Sequence, residues 1–345
     1  MENSSQSLVD FWGVITESKR IINAHSRHFL ALSVLFLLPL SFSLAVFPTL
    51  LHSFTSSQPN RIVSLLRLSI HHSSAVDPPI LLHPALHHYA HHKTLVFSLL
   101  FSAFILFFSL LAFASITFSV FHGFYGRPVK LISAIASLLR SFFPLLVTFI
   151  AAQIVISLIF ALFGILAYLG VKGIEVIEGE FSYNSPYFYG VSSIGAILLG
   201  LVLVYVGVNW ILVNVIVVVE SRWGFEPMTR SSDLVRGMRW VALSLIMFFG
   251  FFELVLLWIS LVSGGESIAV GDGWSTWAFA VRIVATTAIL TLVLLHGIAA
   301  TTVLYMYCKA LHGELAGEIA HEFAADYVSL PFDDQKVPRI VCYVY

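Results

Sequence analysis

Five long runs of this 345-residue chain contain no charged side chain, and a sixth contains one. The uncharged runs are 29–51, 95–121, 142–169, 193–219 and 283–307, and the sixth, 240–262, holds Glu253. A helix needs about 20 largely apolar residues to cross the hydrocarbon of a bilayer. Backbone groups in hydrocarbon must pair within their own segment, so runs of this length imply helices and are far too long for barrel strands. Composition points the same way, with 58% hydrophobic and 11% charged residues, against about 25% charged in a soluble domain. The expected fold is all-α, a polytopic membrane helix bundle of six spans with amphipathic interfacial helices. The first run does not read as a cleaved signal, because it starts at Phe29, contains Pro39 and lacks a small-x-small site.

These runs divide the chain into an N-terminal amphipathic segment (1–28), a membrane domain (29–307) and an acidic C-terminal tail (308–345). Lys and Arg accumulate in the cytoplasmic connections of membrane proteins. Placing both termini in the cytosol puts Lys19, Arg20, Arg27, Arg127, Lys130, Arg140, Arg222, Arg230, Arg236, Arg239, Lys309, Lys336 and Arg339 inside. Only Arg61, Arg67, Lys93, Lys172 and Arg282 remain outside. Trp240 then marks an inner aromatic belt, and Trp274 and Trp277 an outer one. The 18 Lys+Arg balance 19 Asp+Glu, which leaves no basic field for nucleic acid.

Each inner basic segment leads from an amphipathic stretch into a span. The first, 11–28, offers Leu8, Phe11, Trp12, Ile15 and Ile22 as an apolar face; the second, 126–143, offers Ile132, Ile135, Leu139 and Phe142. The third, 224–240, carries the pattern Gly224, Pro227, Met228, Arg230, Ser231, Leu234, Gly237, with Arg236 and Arg239 adding to an inner-face basic motif. That pattern resembles a recurring motif of the membrane domain of bacterial glycerophosphodiester phosphodiesterases. The chain as a whole resembles a plant family of uncharacterised six-span membrane proteins, through FWGVITESKRIINAHSRHFLALS near the start and YCKALHGELAGEIAHEFAADYVSLPFDD near the end. This resemblance implies a plant protein of the endoplasmic reticulum, another endomembrane or the plasma membrane. Some members are labelled as partners of a polyadenylate-binding protein. The hydrolase domain of the bacterial proteins has no counterpart in this chain.

Ionisable groups within spans are functional candidates by default. Counting about 1.5 Å per residue, Glu253, His296, Gln153 and Asn209 fall at similar depths and could form one polar layer for a proton or cation. The alternative is interhelical hydrogen bonding that fixes packing. Pro39, Pro144 and Gly164 are candidate helix interruptions of the kind transporters use. In the 52–93 segment, His83, His87 and His91 have the i, i+4 spacing that can place imidazoles on one metal ion, although no acid or Cys accompanies them. Cys308, at the inner end of the last span, is a candidate for palmitoylation. In the tail, Leu311, Leu315, Ile319 and Phe323 repeat every four residues, as do Glu314, Glu318, Glu322 and Asp326. That acidic face could pair with Arg230, Arg236 and Arg239, or the apolar stripe could enter a partner's groove. No catalytic constellation or cofactor motif is present: His321-Glu322 would need His at position 325, which is Ala325. The expectation is a non-enzymatic membrane organiser or adaptor; the alternative is a small transporter or channel.

Overall fold

The structure, a computed structural model, describes residues 10–51, 82–126, 131–178, 186–266 and 273–315. Among these residues there are only helices and turns. In chain order they are α1 (Phe11–Ala24), α2 (Ser26–Leu51), α3 (Leu82–Phe124), α4 (Leu131–Glu178), α5 (Pro186–Trp210), α6 (Val213–Glu220), α7 (Glu226–Leu234), α8 (Arg239–Glu266) and α9 (Gly273–Leu311). Six runs are long and apolar enough to cross a membrane: Ser26–Leu51, Thr94–Phe124, Ala134–Gly173, Phe188–Glu220, Arg239–Val262 and Trp277–Leu311. Each contains one of the runs read from the sequence, and the chain is a membrane protein.

The interfacial helices differ from the expected threefold pattern. α1 is a separate amphipathic helix ended at His25, and it lies against α9, α3 and α8. Its buried face is Val14, Ser18, Ile21 and Ile22, while Trp12 is exposed. The buried face is thus rotated from the expected one and shares only Ile22 with it. Leu8 lies outside the described residues. The second amphipathic stretch is not a separate helix: α4 runs unbroken from Leu131, through Pro144 and Gly164, to Glu178. The third is a short separate helix, α7.

Two irregularities interrupt the spans among the described residues, and neither is at Pro144 or Gly164. In α2, residues Ser33–Leu37 form a π-helical turn immediately before Pro39. A proline ring collides with the carbonyl four residues back, here Leu35, and the wider turn relieves that contact. In the fourth run the helix breaks at Ile211–Leu212, separating α5 from α6.

The packed core gathers at one end, where α1, α7, the C-terminal ends of α3, α6 and α9, and the start of α8 meet; this is the basic end. Ile298, Ala299, Ala300, Val303, Leu304, Tyr305, Met306 and Cys308 of α9 are buried there. So are Ala112, Ala114, Ile116 and Val120 of α3, and Val215, Ile216 and Val217 of α6. Small residues let the backbones approach: a Cβ added at Gly297 would lie 3.5 Å from the ring of Phe249. Hydrogen bonds also cross between helices, His28 Nε2 with Ser119 Oγ at 3.0 Å and Ser41 Oγ with Thr291 Oγ1 at 2.6 Å.

Candidate functional site at the basic end

The site is built on α7, and each residue of its sequence pattern has a local reason. Gly224 (φ 77) and Gly237 (φ 97) sit in the left-handed region on either side of the helix, where a side chain would strain the backbone. The amide of Gly224 donates to Thr148 Oγ1 of α4 at 3.1 Å, which anchors the entry turn. Pro227 lies in the first helical turn, where its missing N–H costs nothing. Met228 packs with Ala151 of α4 and Val213 of α6, and Leu234 enters the main core.

Ser231 is fully buried and bridges the break in the fourth run. Its Oγ donates to the Asn209 carbonyl at 2.6 Å and accepts from the Leu212 amide at 3.3 Å. Interrupted helix within a membrane run survives only where other groups satisfy the freed backbone. Here one hydroxyl serves a carbonyl on one side of the break and an amide on the other. Asn209 turns its Nδ2 to the Tyr205 carbonyl at 2.8 Å, and its Oδ1 is buried without a hydrogen-bond partner among the described residues.

Arg230, the preceding residue, holds the other end of α6. Its Nε lies 3.6 Å from Glu220 Oε2, an ion-pair distance beyond hydrogen-bond range. Glu220 is also reached by Arg222 at 3.1 Å and by the Tyr305 hydroxyl, which donates at 2.9 Å. On its far side Arg230 donates to the Glu314 carboxylate, just beyond the end of α9. That bond holds the Glu314 carboxyl below its ordinary value and raises the Arg230 guanidinium above its own. Lys309, almost completely buried, places its ammonium over the Tyr305 ring at 5.4 Å. Motif and tail therefore close one ion-paired cluster that joins α6, α7, α9 and the start of the C-terminal segment.

The expected pairing of the tail with the basic motif is found at Arg230–Glu314. Arg236 instead bonds Asp233 at 3.2 Å within its own turn. Arg239 has no ionic partner among the described residues, and Glu318, Glu322 and Asp326 lie outside them.

The four groups expected in a polar layer make no hydrogen bond or ion pair with one another among the described residues. Equal depth does not give equal azimuth. Gln153 is exposed on the outside of α4, in a shallow groove lined by Ile150, Ile154, Ser157, Leu158 and Ala161 of the same helix. His296 Nδ1 bonds the Leu292 carbonyl of its own helix at 2.9 Å. Glu253 is half-buried on α8, and Asn209 belongs to the break described above. Cys308 does not fit lipidation, because its thiol is fully buried against Met238 Sδ at 3.8 Å, out of reach of an acylating enzyme. The backbone of His83, His87 and His91 falls in the first turns of α3, and their side chains lie outside the described part.

No sequence pattern pointed to the Ser231 bridge or to Tyr305–Glu220, since both join residues far apart in the chain. The one available signal was Arg230-Ser231 inside a Gly- and Pro-bounded helix. No curated protein and no solved structure matches the chain. A family model described as a domain of unknown function (DUF8558) matches residues 1–334, and the chain belongs to that family.

Proposed function

We propose that this protein is a non-enzymatic organiser or adaptor in a plant endoplasmic reticulum or plasma membrane, with both termini in the cytosol. The observation that carries this reading is the Arg230–Glu314 bond, which ties the start of the acidic C-terminal segment to the bundle. An adaptor needs a segment presented from a fixed membrane platform, and this contact supplies the fixed point. The other charges of the site pair among themselves around Glu220 instead of converging on a substrate-sized space. The inner orientation rests on the Lys and Arg bias and on exposed Trp12, Trp223 and Trp240 at the basic end, where aromatic side chains suit the headgroup layer. The plant assignment rests on the resemblance of the two terminal stretches.

A second reading, a small transporter or channel, is favoured by one observation: the fourth run is interrupted, and at the interruption lies a buried acceptor, Asn209 Oδ1, with no partner among the described residues. Proteoliposomes holding the full chain separate the two. The organiser reading expects proton and cation flux, read with pH- and potential-sensitive dyes, equal to that of empty vesicles. Flux that Asn209→Ala or Glu253→Gln abolishes would establish the transporter instead.

A further inference from the structure

A helix inside a membrane run breaks for an identifiable cause, most often proline, glycine or an inserted side chain. Residues 208–220, which contain the break, include neither proline nor glycine. The segment 208–219 is apolar apart from Asn209 and Asn214, and Val dominates α6. Nothing local forbids a continuous helix through 210–212. The cause lies on another element: Ser231 of α7, which takes the Leu212 amide and the Asn209 carbonyl. In a continuous helix that amide would bond the Val208 carbonyl, and the Asn209 carbonyl would accept from Val213. The same backbone groups thus have two complete sets of partners, one supplied by α7 and one by the helix itself.

We propose that the fourth run is a two-state joint, broken while α7 is seated and continuous when α7 withdraws, and that the Arg230–Glu314 bond sets which state is held. Arg230 and Ser231 are adjacent, so any movement of α7 that breaks one contact disturbs the other. Arg230 is held from two sides, by Glu220 at the end of α6 and by Glu314 at the start of the C-terminal segment. Loss of the Glu314 contact, by competition from whatever the segment binds, loosens the seat of α7. Ser231 then leaves the break, and α5 and α6 merge. Merging re-aims α5, which packs on α4, α7 and α8, relative to α6, which packs on α3, α4, α7 and α9. The inference concerns the joint itself and holds for either functional reading.

Hydrogen exchange read by mass spectrometry on the full chain in lipid nanodiscs tests it, through peptides covering 209–216. Ser231→Ala removes the external partner, so a two-state joint straightens and exchange slows, by roughly threefold to tenfold for a regained backbone hydrogen bond. Ser231→Thr keeps the hydroxyl and the wild-type rate. Glu314→Gln slows the same peptides by a smaller factor. Faster or unchanged exchange in Ser231→Ala would show a purely structural plug and overturn the proposal. So would a Glu314→Gln chain identical to wild type at 209–216. If Ser231→Ala does not fold, the Glu314→Gln result alone decides.

Discussion

Residues 298–308 of α9 are buried on almost every side, whereas residues 160–169 of α4 are exposed on almost every side. Both stretches are strongly apolar, so hydropathy does not distinguish them. The difference is in shape and in hydrogen-bonding groups. The α9 stretch carries the fully buried Ala299 and Ala300, and its Tyr305 reaches Glu220. The α4 stretch offers Leu162, Ile165, Leu166 and Leu169, all exposed, and an added Cβ on Gly164 would meet nothing within 4 Å. Lipid solvates leucine as well as another leucine does, so helices associate where small residues and polar links favour protein over lipid. The basic end is therefore the folded platform, and the opposite end is a set of helices dressed for lipid.

The contrast can be broken most strongly at the core. Leu304→Ala, at a fully buried position, is expected to cost about 2–5 kcal/mol. Leu162→Ala, at 57% exposure, is expected to change stability by less than about 0.5 kcal/mol. Thermal unfolding of the purified chain in detergent compares the two, and equal losses would erase the distinction. Glycines sharpen it next. Gly237→Ala must hold φ 97 with its new Cβ about 3.0 Å from Leu311 Cδ2, and a loss of about 1–3 kcal/mol is expected. Gly164→Ala, in open space within a helix, is expected to gain up to about 1 kcal/mol.

The smallest effect is electrostatic. Arg230→Ala or Glu314→Gln is expected to lower stability by about 0.2–1 kcal/mol, since the pair is part-exposed and screened. Its pH dependence has a definite sign. Arg230 lowers the Glu314 carboxyl in the folded protein, so the contribution is fully present above the ordinary carboxylate value. It is lost as pH falls through the lowered folded value. Melting curves of wild type and Glu314→Gln should differ at pH 7 and converge in acid.

The six spans were legible because charge is excluded from them over their full length. The basic end was half legible: Gly224, Pro227 and Gly237 announce a short bounded helix, and the alternation of Glu314 with Leu311 and Leu315 announced a face able to meet Arg230. The Ser231 bridge was not legible, because a serine in a helix most often bonds its own turn, as Ser232 does to the Thr229 carbonyl. The break at 210–212 was hidden for the related reason that its cause sits 19 residues away, on α7. The polar layer misled because depth along a helix fixes height alone, and Gln153 is exposed on α4 while Asn209 is buried at the break.

Accessibility of Cys308 tests the packed basic end most directly. In a Cys342→Ser chain it is the sole thiol. A membrane-permeant maleimide applied to native membranes should leave it unlabelled until the protein is denatured, and label it completely afterwards. Full labelling of the folded protein would place Cys308 on the surface and contradict the packing of α9 against α7 and α8 on which the account stands.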